Sequence, residues 1–227
     1  MLQISFTKFT KRLVIVSMVL CVLFFAGCGN KEKGEEDNSN LPQVPSVGAN
    51  DGKLENNGGE NKAVTKENLP QFVEELEAAM WGDGSGAAKT RDADEREIDT
   101  VFDGRGGSRI IDILFIGGSE DNATATLKLF NFSKSGKLFL GGGIGAAVYF
   151  DEITNEQEMK FSGEVKFNGI FTGSVVYKNY YQKSKHSGSA KEGTLTSKLV
   201  SESGDVVVKS GGSEIPFKEY SNILLQF

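Results

Sequence analysis

The sequence predicts a mainly β fold, an antiparallel sandwich or barrel of about eight or nine strands with one N-terminal helix packed on it. Glycine is abundant and proline is rare, at 28 and four residues, which is typical of a β-rich chain because an interior glycine destabilises a helix. Short apolar segments alternate with turn sequences such as those at 104–107 and 117–122. Sixteen phenylalanines supply the apolar side chains that a core requires.

The predicted helix covers Leu69–Trp81. Asn68 can cap its first turn, Pro70 is tolerated there, and Gly82 can end it. Apolar side chains recur at spacings of three and four and form one stripe, which consists of Phe72, Val73, Leu76 and Met80. We expect this stripe to pack on an open face or an end of the sheet.

The predicted strands follow the helix after a loop at 82–96. They are Ile98–Phe102, Arg109–Ile116, Ala123–Phe132, Lys137–Leu140, Ile144–Phe150, Glu158–Lys166, Ile170–Tyr181, Thr194–Val200 and Asp205–Lys209. The last residues, Tyr220–Phe227, are predicted to form a final strand or a short covering helix, since their apolar character favours docking.

The segment Met159–Tyr177 is the best local indication of a hairpin, because apolar and polar residues alternate along it. A two-residue turn would mix the faces of the two strands. A three-residue loop, Phe167–Gly169, keeps the faces separate and pairs Gly163 with Gly173. These paired glycines would leave a gap on the apolar face, which a core side chain or a ligand could fill; core packing is the preferred interpretation.

The first 27 residues have the order of an export signal. Lys8, Lys11 and Arg12 precede an apolar segment, Leu13–Ala26, and polar sequence begins after Cys28. As a helix at about 1.5 Å per residue this segment would be roughly 21 Å long, shorter than the roughly 30 Å hydrocarbon core of a bilayer. A cleaved signal peptide over residues 1–27 therefore fits better than the alternative, an uncleaved signal anchor.

The residues Phe25-Ala26-Gly27-Cys28 resemble the lipobox of bacterial lipoproteins, in which small residues precede the modified cysteine. Phe25 stands where leucine is usual in that pattern. The resemblance implies cleavage before Cys28 and lipid attachment to it, and two or three acyl chains hold a protein stably on a membrane. Cys21 does not fit because bulky Leu20 precedes it. Gly29, in place of aspartate after the cysteine, favours the outer membrane of the cell envelope.

Residues 28–61 are predicted to be the lipidated cysteine and a disordered tether. Gly, Asn, Glu, Lys and Ser dominate this stretch, and its few apolar residues are isolated, so it cannot bury enough apolar surface to offset its ordering entropy. A flexible coil of roughly 33 residues has a root-mean-square reach of about 30 Å. The mainly β domain is predicted to occupy residues 62–227.

Charge and cysteine usage exclude several function classes. The net charge is −6, and removing the three leader cations from 25 leaves 22 basic residues against 31 acidic ones. Such a surface repels phosphate backbones, so we expect no nucleic acid as partner, and the basic stretch 183–186 is too short to override this. Both cysteines, Cys21 and Cys28, lie at the N-terminal end, which leaves the β domain without thiol chemistry.

Three further features could indicate chemistry, and each has a simpler interpretation. Residues 141–146 (GGGIGA) match a loose dinucleotide-binding pattern, but without a repeated βαβ pattern we expect a glycine-rich bend between two strands. His186, the only histidine, lies in a polar segment, and we expect it to be exposed to solvent. Acidic clusters at 92–97, 120–122 and 151–152 lack the spacing of a calcium loop and are expected to be solvated turns. We therefore predict no catalytic residue, cofactor or metal site.

Tyr177, Tyr180 and Tyr181 form the aromatic cluster most suggestive of a carbohydrate or peptide surface. Strand alternation predicts that Tyr177 and Tyr181 lie on one face and Tyr180 on the other. At most part of this cluster can then be exposed.

Together these features predict a lipid-anchored, exported envelope or surface lipoprotein whose β domain is not an enzyme and serves binding or envelope assembly. Its partners would be the membrane, through acyl chains on Cys28, and a macromolecule or envelope component. Two alternatives stay open. One is a small β-barrel carrier of an apolar ligand, indicated by the paired glycines and by residues 141–145. The other is an exported hydrolase, which requires a cleft that gathers carboxylates or a buried His186.

Overall fold

The structure is a computed structural model that describes residues 41–47, 52–82, 87–92, 96–117, 121–187 and 196–225. The predicted signal peptide, residues 1–27, and the predicted lipid-attachment residue Cys28 lie outside the described residues, together with residues 29–40.

Among the described residues, nine antiparallel strands form one sheet in which each strand pairs with its neighbours along the chain. They are β2 (Ala87–Asp92), β3 (Arg96–Phe102), β4 (Ser108–Phe115), β5 (Asn122–Phe132), β6 (Leu138–Asp151), β7 (Glu156–Gly169), β8 (Phe171–Ser187), β9 (Thr196–Ser210) and β10 (Ser213–Pro216). A two-residue strand, β1 (Lys62–Ala63), pairs in parallel with the start of β8. Strands β2 and β10 are the edges, so the sheet is not closed within the part of the chain that the structure describes.

Helix α1 (Leu69–Met80) packs on this sheet, which confirms the predicted mainly β fold with one helix against it. Phe72, Leu76, Ala79 and Met80 are buried, as the apolar stripe predicts. Asn68 precedes the helix as predicted, but its side chain does not cap the first turn. Its amide instead accepts a hydrogen bond from the Thr65 N–H and donates one to the Ala63 carbonyl. These bonds stabilise the turn before the helix and leave the first N–H groups of the helix without a side-chain acceptor from Asn68.

Strand β6 is longer than the sequence predicts. It runs without a break through Gly141–Gly145 and joins the two predicted strands Lys137–Leu140 and Ile144–Phe150. The expected glycine-rich bend is therefore wrong. A strand follows these glycines where a dinucleotide-binding pattern would place a helix, so the structure gives that pattern no support either.

The hairpin of β7 and β8 has a different register from the predicted one. Phe167 pairs with Gly173, and Gly163 pairs with Tyr177, so the two glycines do not face each other. The connection between β7 and β8 is longer than the predicted three residues, because its backbone is bonded outside the hairpin. The Ile170 N–H donates to the carbonyl of Lys137, which precedes β6, at 3.1 Å. An alanine Cβ at Gly173 would lie 2.9 Å from Cζ of Phe167, so this phenylalanine ring fills the space that the sequence analysis left open.

A bulge in β8 places two tyrosines on the same face of the sheet. The pairing of β8 with β9 shifts between Lys178 and Tyr181, and Asn179 has a φ of 49°. Asparagine is one of the few residues that adopt this left-handed conformation readily. The extra residue turns Tyr180 to the face of Tyr177, and both are almost fully buried. The expectation that they lie on opposite faces is wrong.

The core occupies one face of the sheet, which bears residues such as Ile144 and Val165 and is called the core face below. Helix α1 covers it through Phe72, whose ring centroid lies 4.7 Å from that of Phe167 and 5.7 Å from that of Phe171. Edge-on and tilted aromatic pairs of this kind stabilise a core beyond the apolar area that they bury.

A 3₁₀ helix, Lys218–Leu224, covers the same face near the C-terminus. Of the two alternatives for Tyr220–Phe227, a final strand or a short covering helix, the described part of this segment forms the helix. Trp81 Nε1 donates a hydrogen bond of 2.9 Å to the Ile223 carbonyl and joins this helix to the end of α1. The Tyr177 hydroxyl donates to the Ser221 carbonyl. Among the described residues, the structure has no helix with the length and apolar character that are needed to cross a membrane.

Candidate functional site: an N-terminal strap on a glycine stripe

A stripe of glycines lies on the face of β6 opposite to the core face, which we call the outer face. Gly141, Gly143 and Gly145 are alternate residues of the strand, so all three present their α-carbons to this face. All three are buried, although no helix of the described residues lies on this side of them. Chain from near the N-terminus covers them.

We call this covering segment the strap and define it as the described residues 41–47 and 52–61. A Cβ added at Gly141 would lie 2.7 Å from Cβ of Leu54, and one added at Gly143 would lie 2.7 Å from Cγ1 of Val47. One added at Gly145 would collide with the Pro45 carbonyl. Because real Cβ atoms do not approach other atoms so closely, the strap can lie here only on glycine.

Three asparagines, which we call the asparagine clasp, hold the strap beside the stripe: Asn57, Asn131 and Asn168. The amides of Asn57 and Asn131 exchange two hydrogen bonds, of 2.6 and 3.1 Å. Asn131 is an extra residue in β5 with a φ of 49°, so its backbone N–H is free to donate to the Lys53 carbonyl at 2.7 Å. The Asn168 side chain donates to the Glu55 carbonyl.

Backbone hydrogen bonds continue from the strap into the fold. The Asn61 N–H donates to the Gly169 carbonyl at 2.8 Å, and the Lys62 N–H donates to the Ile170 carbonyl at 3.0 Å. The Val64 N–H then donates to the Ser210 hydroxyl. The strap is therefore bonded to β5, to the β7–β8 connection and, through β1, to β8. This differs from the expected disordered tether for the described part of residues 28–61, because amide and backbone bonds replace the apolar burial that the segment lacks.

His186 is buried, so the expectation that it is exposed is wrong. It lies in the long final part of β8, and its Nε2 is 3.3 Å from the Gln157 side-chain oxygen. The Phe150 ring lies beside the imidazole, and Nδ1 has no hydrogen-bond partner among the described residues. Burial lowers the pKa of this histidine, since the charged form loses hydration. The sequence contains no signal for this, because β8 extends beyond its apolar part.

Two other buried charged side chains, Arg109 and Asp103, are bonded to the backbone of the fold. Arg109 donates to the Met80 carbonyl at the end of α1, and its guanidinium lies 4.3 Å from the Trp81 ring centroid. Desolvation lowers the pKa of Arg109. The Asp103 carboxylate accepts bonds from the N–H groups of Arg105, Gly107 and Ser133 and ties two turns together. These roles are structural, and neither residue belongs to a motif that is visible in the sequence.

The acidic and basic clusters of the sequence are dispersed or paired. The Asp151 carboxylate accepts bonds from the N–H groups of Ile153 and Thr154 in the β6–β7 turn. Lys183 lies between Glu156 and Glu158, at 2.9 and 3.2 Å. Residues 93–95 and Glu120 of the other acidic clusters lie outside the described residues. Among the residues that are described, no three His, Cys, Asp or Glu side chains gather as metal ligands would.

Comparison of the chain with protein-family models, with curated protein sequences and with solved structures gives no match.

Proposed function

We propose that the chain is an exported envelope lipoprotein, held on a membrane by acyl chains on Cys28, whose β domain binds a macromolecule or envelope component without catalysis. The strap is the observation that carries this proposal. The chain that follows the proposed anchor is fastened to the sheet by bonds at Lys53, Asn57 and Asn61, so a pull on the N-terminus acts on the folded domain.

The strap also limits how far the domain can lie from the anchor. Twelve residues, 29–40, separate Cys28 from Leu41, the first described residue. At no more than about 3.6 Å per residue they span roughly 40 Å even when fully extended. The domain would therefore stay close to the membrane surface, as suits a protein that acts on the envelope itself.

The buried polar groups serve the fold itself, which supports a domain without catalysis. Arg109, Asp103 and Tyr177 each bind backbone atoms of the fold, as described above. His186 meets one requirement of the hydrolase alternative because it is buried. A general base also needs a nucleophile within hydrogen-bond reach, and the partner of this imidazole in the described structure is the Gln157 amide. The carrier alternative needs an accessible apolar face, whereas α1 and the 3₁₀ helix cover the core face.

Replacing Cys28 tests the anchor. In Cys28→Ser cells we expect the protein to be lost from the detergent phase of a phase-partition experiment, because no thiol remains to carry acyl chains. Cys21→Ser is the matched control, since Cys21 lies in the predicted leader and its loss should leave partitioning unchanged. Equal partitioning of Cys28→Ser and the native protein would contradict the proposal.

A further inference from the structure

The two sides of the sheet differ in their balance of charge. Helix α1, on the core face, contains Glu74, Glu75 and Glu77 and no lysine or arginine. On the outer face, five strand lysines form no ion pair within the described residues: Lys128, Lys160, Lys166, Lys185 and Lys198. Counted over the strand side chains that the structure describes, this face carries nine cations and seven carboxylates, so cations are in excess by two. The cations are these five lysines with Arg96, Lys178, Lys183 and Lys209, and the carboxylates are Asp112, Asp151, Glu156, Glu158, Glu164, Asp205 and Glu214.

Three of these lysines flank the strap. Lys128 of β5 pairs with Gly143, Lys166 of β7 pairs with Gly141, and Lys160 of β7 pairs with Ala147. The strap lies on the β6 residues between them. The chain toward Cys28 therefore leaves the domain from its basic face.

One pair of lysines on this face brings like charges together. Lys185 and Lys198 stand directly opposite each other in the β8–β9 ladder, and both are exposed. Glu156 stands opposite Lys185 in the β7–β8 ladder and offsets part of their repulsion. Like charges in this position destabilise a strand pair. An anionic surface against the outer face would remove this repulsion.

We propose that the outer face docks on the anionic head groups of the membrane that holds Cys28, with α1 turned away from the lipid. This orientation rests on the proposed function, because it takes acylated Cys28 as the anchor. The attraction acts within about one Debye length, roughly 8 Å at physiological salt, so the short connection of residues 29–40 is needed to bring the lysines into range. The acidic helix is repelled from the same surface, which reinforces the orientation.

The test uses the acylated full-length protein in vesicles that contain phosphatidylglycerol. A fluorophore is attached at Lys166→Cys on the outer face or at Glu74→Cys on α1, and acrylamide serves as a neutral aqueous quencher. We expect severalfold weaker quenching at position 166 than at position 74. In vesicles of phosphatidylcholine alone, or at high salt, this difference should disappear.

Charge reversal provides the second arm. Adding Lys160→Glu, Lys185→Glu and Lys198→Glu should abolish the protection of position 166, with roughly a fivefold loss of the docked population for each lysine removed. Lys66→Glu, at an exposed lysine before α1, is the matched control and should retain the protection. Flotation of the vesicles reports attachment separately, and we expect all variants to float.

Equal quenching at the two positions on anionic vesicles would overturn the proposal while leaving the anchor intact, as would protection that survives the triple charge reversal. Protection by a dissolved anionic polysaccharide in place of vesicles would assign the face to another partner and overturn it as well. Native protein that fails to float would contradict the acyl anchor and, with it, this orientation.

Discussion

At single positions, asparagines with positive φ lie at two of the places where this sheet departs from regular pairing. Asn131 and Asn179 each add one residue to a strand, in β5 and β8. The first frees a backbone N–H for the strap, and the second turns Tyr180 into the core. Alternation along β8 predicts the wrong face for this tyrosine because the pattern of apolar residues does not mark the bulge.

Asn179 gives a matched pair of substitutions. Asn179→Gly keeps the left-handed backbone accessible, whereas Asn179→Val strongly disfavours it. We expect the valine variant to be less stable than the glycine variant by about 1–2 kcal/mol, because the branched Cβ of valine is sterically strained in the left-handed conformation. Urea unfolding of the two variants measures the difference, and equal stabilities would show that the bulge does not depend on this residue.

His186 makes a prediction about pH. Burial lowers its pKa in the folded protein, whereas the unfolded chain has the ordinary value of about 6.5. The unfolded chain therefore binds the proton more readily, and stability is lost as the pH falls through about 6.5 toward the lower folded pKa. We expect Tm to fall between about pH 7.5 and about pH 5.5, and to fall less in His186→Gln, which cannot titrate there. The chain has no other histidine, so an identical fall in both proteins would refute this role.

At the scale of elements, helix α1 was predictable and the strap was not. The spacing of three and four between apolar residues predicted one stripe that includes Phe72 and Leu76. Both side chains are buried in the structure. The strap has few apolar residues and no periodicity, so composition predicts disorder. Its order depends on partners that are distant in sequence, including Asn131 and Gly145, and a local pattern cannot contain such information. The hairpin register escaped prediction for the same reason, since Lys137 fixes the turn at Ile170.

The glycine stripe can be tested through the strap. Gly145→Val places a branched side chain against the Pro45 carbonyl and Val44, so we expect a loss of stability of about 1–3 kcal/mol from overpacking. Because the strap can lift away, we expect the sheet to stay folded while trypsin cleaves faster at Lys53. Thr126→Val, at the β5 position that pairs with Gly145, is an isosteric control. Unchanged cleavage at Lys53 in Gly145→Val would contradict the packing described here.

At the scale of the whole molecule, an open antiparallel sheet is covered by a helix on its core face and by the strap on its outer face. Glycine-rich turns and short apolar segments predicted the mainly β class, and the run of neighbouring strands is consistent with hairpin connections throughout. The site was harder to predict from sequence, because the role of Gly141–Gly145 depends on residues 41–47 and 52–54, which pack across these glycines. The lipid-attachment residue, Cys28, stays a prediction from the leader.

Mass spectrometry of the N-terminal tryptic peptide of the native protein tests the proposed anchor most directly. The account predicts a peptide that begins at Cys28 and ends at Lys31, with a mass increased by diacylglycerol on the sulfur. Cleavage after Arg12 would instead give a peptide from Leu13 to Lys31 if the leader were retained. Finding that longer peptide with an unmodified Cys28 would contradict the account.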